Sequence, residues 1–254
     1  MEAPSTLYVP MYGWPVRRVN EQRLLSGSWQ RLYDLARANP GLKIVMILNP
    51  DNGDFGLGNG LLTQDQMDTV QANPDIMWAE QQMKSAGVVV AGYIYTNYGA
   101  RNVAVTEQRI DLYKKLYDAS GMMFDQMSNQ AGSEQYYRAL SAHSKTAAGM
   151  EFTIGNPGTV IAESYVGSVD TLIIYEDRGL PSISTLKART FNGRYDKNNF
   201  GAIPFCVPSY DRSWVLQARP MVGHIYVTSA CLPNPWDALS PFASLLARDL
   251  QQSL

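Results

Sequence analysis

Two carboxylates stand at the ends of otherwise apolar runs. Asp125 follows Gly121-Met122-Met123-Phe124, and Glu176 follows Leu172-Ile173-Ile174-Tyr175. Partial desolvation at such a position perturbs a carboxyl pKa and suits the group to proton transfer. Two facing carboxylates are also what glycosidic cleavage needs: one protonates the leaving oxygen, and the other attacks the anomeric carbon or activates water. The competing reading of a lone strand-end acid is a helix cap or a partner for arginine. Two acids on alternate strands favour catalysis. The longer Glu176 reaches a glycosidic oxygen more easily, which makes it the general acid/base and Asp125 the nucleophile or electrostatic partner.

The elements that must hold this pair are legible as alternating short and long runs. Strands are expected at 7–11, 43–48, 88–95, 121–125, 151–155, 171–175, 200–205 and 222–227. Most are continuously apolar, as parallel strands covered on both faces are. Helices are expected at 28–38, 76–85, 103–120, 133–146, 181–188, 209–218 and 235–250. Asp75 is the expected cap of the second, and Ser133 that of the fourth. Eight βα units in 254 residues imply an α/β fold, a (β/α)8 TIM barrel, forming one domain over residues 1–254. A doubly wound sheet would carry a glycine-rich phosphate turn after the first strand, where this chain has Met11-Tyr12-Gly13-Trp14-Pro15. Asp125 and Glu176 end the fourth and sixth strands. Alternate strands feed the same layer of a barrel, so both side chains are expected over its mouth.

The remaining strand ends supply candidate substrate contacts: Tyr12, Asn49, Tyr95, Asn97, Tyr98, Gln126, Asn156 and Asp177. This ring is polar and aromatic with few cations, which suits neutral or amino sugars better than phosphates. Asp177 has a second reading as a turn cap beside Arg178. Gly56-Leu57-Gly58-Asn59-Gly60 lacks the lysine of a phosphate loop and reads as a flexible rim loop. Gly155-Asn156-Pro157-Gly158-Thr159 reads as a rigid turn aiming Asn156 at the cleft. His143 in a helix and His224 in the last strand are too far apart for a local metal motif, so neither metal nor cofactor is expected. The Tyr136-Tyr137 pair packs or lies on the surface. Cys206 and Cys231 form either a bridge or two buried thiols.

Composition narrows the partners. A net charge of -2 with dispersed Lys and Arg argues against nucleic acid. No apolar run approaches the roughly 20 residues of a membrane span. Fifteen Tyr and five Trp against two His lean slightly towards stacking on sugars. The N-terminus has no charged segment leading into an apolar one, so no signal peptide is expected. The chain is expected to be a monomer.

Five motifs carry a family resemblance. They are Ile47-Leu48-Asn49-Pro50-Asp51-Asn52-Gly53, Gly92-Tyr93-Ile94-Tyr95-Thr96-Asn97-Tyr98-Gly99-Ala100-Arg101, Phe124-Asp125-Gln126-Met127, Gly155-Asn156-Pro157-Gly158-Thr159 and Val169-Asp170-Thr171-Leu172-Ile173-Ile174-Tyr175-Glu176. Over roughly residues 8–226 the chain resembles the spherulin-4 (spherulation-specific) family. That resemblance implies a (β/α)8 fold and an endo-acting hydrolase of α-1,4-linked galactosamine or N-acetylgalactosamine polymers in microbial exopolysaccharide and biofilm. It matches Asp125 and Glu176 to the family's catalytic acids and favours a secreted or cell-surface setting. The family often has Asp-Glu where this chain has Asp125-Gln126. Gln126 cannot ionise, which leaves two other readings: a glycan-binding barrel that has lost catalysis, or a structural protein of development.

Overall fold

The structure, a computed structural model, describes residues 5–252; the segment read for a leader lies partly outside them. From the N-terminus come strand β1 (Thr6–Met11), a hairpin of β2 (Val16–Val19) and β3 (Gln22–Leu25), and helix α1 (Gly27–Ala38). Next are β4 (Ile44–Leu48), α2 (Gln64–Thr69), α3 (Pro74–Ser85), β5 (Val89–Tyr95), α4 (Val103–Tyr117), β6 (Gly121–Asp125) and α5 (Glu134–Thr146). The chain continues through β7 (Phe152–Gly155), β8 (Thr171–Tyr175), α6 (Ile183–Arg189), β9 (Phe200–Ala202), α7 (Arg212–Ala218), β10 (His224–Ile225) and α8 (Ala243–Gln251).

Eight of these strands close a parallel barrel in the order β1-β10-β9-β8-β7-β6-β5-β4. The expected (β/α)8 fold is therefore present. Every residue of β1, β4 and β8 is buried, as required of strands enclosed by a packed interior and an outer layer of helices. Inside, the Tyr8 hydroxyl donates to Met123 Sδ at 2.9 Å, joining β1 to β6 through the core. Outside, a Cβ on Gly92 would lie 2.5 Å from the Tyr113 ring, so this glycine lets α4 sit directly on β5.

Several boundaries differ from the pattern reading. The β2–β3 hairpin escaped it because Val16-Arg17-Arg18-Val19 and Gln22-Arg23-Leu24-Leu25 are half polar, short and without regular alternation. Pro204 and Pro208 cannot extend a ladder, and β9 stops at Ala202. The last helix starts at Ala243 rather than 235, beyond Pro241. Asn73, not Asp75, caps α3, accepting from the N–H groups of Asp75 and Ile76. Asp75 instead binds Arg18 at 2.8 Å and Arg23 at 3.0 Å, tying the hairpin to α3. Ser133 makes no capping bond through its side chain. Cys206 and Cys231 are bridged, with Cα atoms 4.5 Å apart.

Candidate active site

The two acids meet through the strand between them. Asp125 closes β6, Glu176 follows β8, and Asn156 follows β7. The Asn156 backbone is fastened to β6 on either side of Asp125: its N–H donates to Phe124 O at 2.8 Å, and its carbonyl accepts from Met127 N at 3.0 Å. Glu176 N donates to Gly158 O at 3.0 Å, so the 155–159 turn also fixes Glu176. From this frame the Asn156 Nδ2 donates to Asp125 Oδ1 at 2.9 Å and to Glu176 Oε2 at 2.6 Å. The 155–159 turn, expected to fix Asn156 towards the cleft, brings its side chain onto both acids.

The outer oxygens have their own donors. Tyr93 gives its hydroxyl to Asp125 Oδ2 at 2.6 Å, and Trp236 gives its indole N–H to Glu176 Oε1 at 3.1 Å. The nearby Gln126 backbone N–H also favours the charged form of Asp125. Burial raises both carboxyl pKa values, and Glu176 is pushed up to about 7, with the negative charge of Asp125 adding to the effect. Among the described residues no guanidinium or ammonium group pairs with either acid. Each acid accepts two side-chain hydrogen bonds, and Glu176, pushed up to about 7, is the one placed to hold a proton near neutral pH. Burial, followed by the field of these acids, raises the Tyr8, Tyr12 and Tyr93 pKa values, keeping the phenols protonated as donors.

The other expected contacts spread around the mouth. Tyr12 packs edge-on against Tyr93, with ring centroids 5.7 Å apart, one ring away from Asp125. Asn49 lines an adjoining pocket with Tyr12 and Trp14. Tyr95 donates to Asn59 at 2.7 Å, and the Arg101 guanidinium lies 4.3 Å from its ring centre. Asn97 and Tyr98 are exposed on a rim turn with φ of 47° and 56°, where Tyr98 N donates to Gln126 O at 2.8 Å. Gln126 is itself exposed, with φ 49°. Asp177 is exposed and accepts from Arg178 N at 2.7 Å, which is the turn-cap reading. The 56–60 loop is not loose at its far end, because buried Arg109 donates to the carbonyls of Gly58 and Gly60, each at 3.0 Å. His143 pairs with Asp111 at 2.8 Å away from the mouth.

Pattern reading missed Tyr93 and Trp236. Tyr93 lies two residues before the strand end, on the same face as Tyr95, and its length lifts the hydroxyl to Asp125. Trp236 lay within the helix expected at 235–250, whereas its segment is irregular and its carbonyl accepts from Tyr12 N at 3.0 Å. Among the described residues no three His, Cys, Asp or Glu side chains gather where a metal ion would sit, and no helix is long and apolar enough to cross a membrane.

Comparison with known proteins matches residues 6–247 to the model of the spherulation-specific family 4. Spherulin-4 of Physarum polycephalum is 30% identical over 207 residues, which are 81% of this chain and 51% of that one. The chain thus spans about half the length of this relative. Sph3 of Aspergillus clavatus, crystallised in complex with GalNAc, superposes with a TM-score of 0.76 at 18% identity over 98% of both chains. The α-L-fucosidase isoenzyme 2 of Paenibacillus thiaminolyticus gives 0.55 at 8% identity, over 98% of this chain and 49% of that one. At such identities the likeness is one of fold.

Proposed function

The chain belongs to the spherulation-specific family 4, and on that premise we propose that it is an endo-acting glycoside hydrolase using Asp125 and Glu176. Its substrate is an α-1,4-linked galactosamine or N-acetylgalactosamine polymer, a reading supported by the family resemblance and by the sugar held in the Sph3 complex. One observation carries the proposal: a single amide nitrogen binds both carboxylates, one of which has a pKa of about 7.

The chemistry follows from the spacing. Two oxygens that share one donor at 2.9 and 2.6 Å cannot be farther apart than the sum of those distances. That bound on the facing oxygens supports the retaining spacing of about 5–5.5 Å over the inverting one of about 6.5–9.5 Å. Asp125 attacks the anomeric carbon while Glu176 passes its proton to the leaving oxygen. The glycosyl–Asp125 bond then yields to water, whose proton goes to Glu176. Esterification removes the negative charge on Asp125 that helps to hold the Glu176 pKa up. Its pKa then falls, and Glu176, having given up its proton, stays a carboxylate able to act as base in the step that requires one.

Gln126 does not interrupt this sequence. Its influence on Asp125 comes through the backbone N–H, which any residue at 126 except proline supplies. The Cys206–Cys231 bridge is consistent with an oxidising compartment. The test is incubation of the protein with purified galactosamine-containing exopolysaccharide. Shortened oligomers that keep the anomeric configuration of the polymer are the expected result. Binding without cleavage would instead identify a glycan-binding barrel.

A further inference from the structure

A pocket of about 230 Å³ opens between the loop after β1, the loop after β4 and the start of α3, and shares Tyr12 with the surroundings of the carboxylate pair. Trp14, Tyr12, Asn49 and Asp51 are among its walls. Tyr12 is common to both places, since its ring also packs on the Tyr93 that binds Asp125. The wall is firmly set. Trp29 donates to Gly13 O at 3.0 Å, and a Cβ on Gly13 would stand 2.1 Å from Asp237 O.

Two side chains in this pocket are acceptors without a partner among the described residues. The Asn49 amide oxygen is buried without a hydrogen-bond partner, which is costly for an isolated protein and calls for a donor from a ligand. Asp51 is the one charged group among the described lining residues, and none of the ion pairs of the described residues includes it. Neighbouring cations are engaged elsewhere. Arg18 and Arg23 bind Asp75, and Arg101 binds Asp54. Asp51 is also held at φ 50°, a left-handed conformation that presents it on a tight turn. An aromatic face, an unpaired carboxylate and a buried acceptor are together complementary to a sugar ring bearing an ammonium group.

We infer that this pocket is a subsite for a hexosamine with a free amine, with Asp51 and Asn49 accepting from the ammonium and Trp14 covering the ring. The inference rests on the proposed glycosidase reading and adds a selection to it: a de-N-acetylated residue is preferred one position from the cleaved bond. An acetamido group has no charge to offer Asp51.

The test uses Glu176→Gln, so that ligands are not consumed, and titrates it with α-1,4-galactosamine oligomers and their fully N-acetylated counterparts. The free-amine oligomer should bind about tenfold more tightly, the difference expected of one ammonium–carboxylate contact. Adding Asp51→Asn should erase that preference, and so should raising the pH until the amine is neutral. Asn tolerates the left-handed conformation as well as Asp does, so the change isolates charge. Equal binding of the two oligomers, or a preference that survives Asp51→Asn, overturns the subsite. The hydrolase reading stands in that case if the unmodified protein still shortens the polymer. Absence of both binding and cleavage overturns the two together.

Discussion

Trp236 lies 60 positions after Glu176 and places its indole N–H 3.1 Å from the Oε1 of that residue. Asn156 holds the other oxygen at 2.6 Å, so both oxygens of the carboxyl group are oriented before any substrate arrives. The same Trp236 packs edge-on against Phe205, the neighbour of disulfide-bonded Cys206. Position, protonation and covalent bracing of Glu176 are thus linked, and each link can be cut separately.

The assignment of roles is tested by Glu176→Gln and Asp125→Asn. Each should lower kcat on the polymer by about 100- to 10,000-fold, the usual worth of a positioned acid, base or nucleophile. Release of reducing ends measures this, with oligomer binding checked separately. Near-normal turnover in either variant would remove that residue from the mechanism.

The pH profile should fall on its alkaline side at about 7, where Glu176 loses the proton that it must donate. Trp236→Phe deletes a donor that favours the charged form, and should move this limb to higher pH. A merely structural Trp236 would reduce activity without moving the limb. Rates of the two proteins from pH 5 to 9 distinguish these outcomes.

How far the chain could be read in advance depended on how local each cause was. All eight barrel strands were legible because burial on both faces leaves a continuous apolar run, as in Ile44–Leu48 and Thr171–Tyr175. Asp125, Glu176 and Asn156 were legible because parallel strands bring their ends to one rim. Tyr93 was missed because attention to strand ends ignores a side chain long enough to climb one layer. Trp236 was missed because Asn234-Pro235-Trp236-Asp237 looks like the start of a helix, and only the tertiary contact with Tyr12 shows otherwise. The two roles of Asp75 and Asn73 were exchanged for a similar reason. Either can cap a helix, and the choice was made by Arg18 and Arg23 on a hairpin that lacked an apolar signature.

The disulfide should brace the site as well as the fold. Its cysteines are 25 positions apart, and closing a loop of that size is worth about 3.5 kcal/mol in the chain-entropy account. For a chain of this length, the Cys206→Ser/Cys231→Ser double variant should melt roughly 7–14 °C lower. Below its melting point it should also show the altered alkaline limb expected of Trp236→Phe, because the segment carrying the indole is less restrained. A lower melting temperature with an unchanged limb would confine the bridge to stability.

Glu176 should leave a signature in stability that needs no substrate. Its pKa is raised from 4.5 to about 7 on folding, chiefly by burial. The unfolded chain therefore loses this proton near 4.5, while the folded chain keeps it until about 7. The stabilisation linked to the retained proton is complete below the unfolded value and is lost as pH rises through the folded one. Across that window the unfolding free energy should fall by about 1.4 kcal/mol per pH unit from this residue alone. Glu176→Gln cannot titrate, so the stability of the variant relative to the unmodified protein should climb between pH 4.5 and 7 and level off above. Denaturant unfolding of both proteins at several pH values reads the difference, with contributions from groups not coupled to Glu176 cancelling. A flat difference would mean that Glu176 is charged throughout, and the proton proposed for the leaving oxygen would have no source.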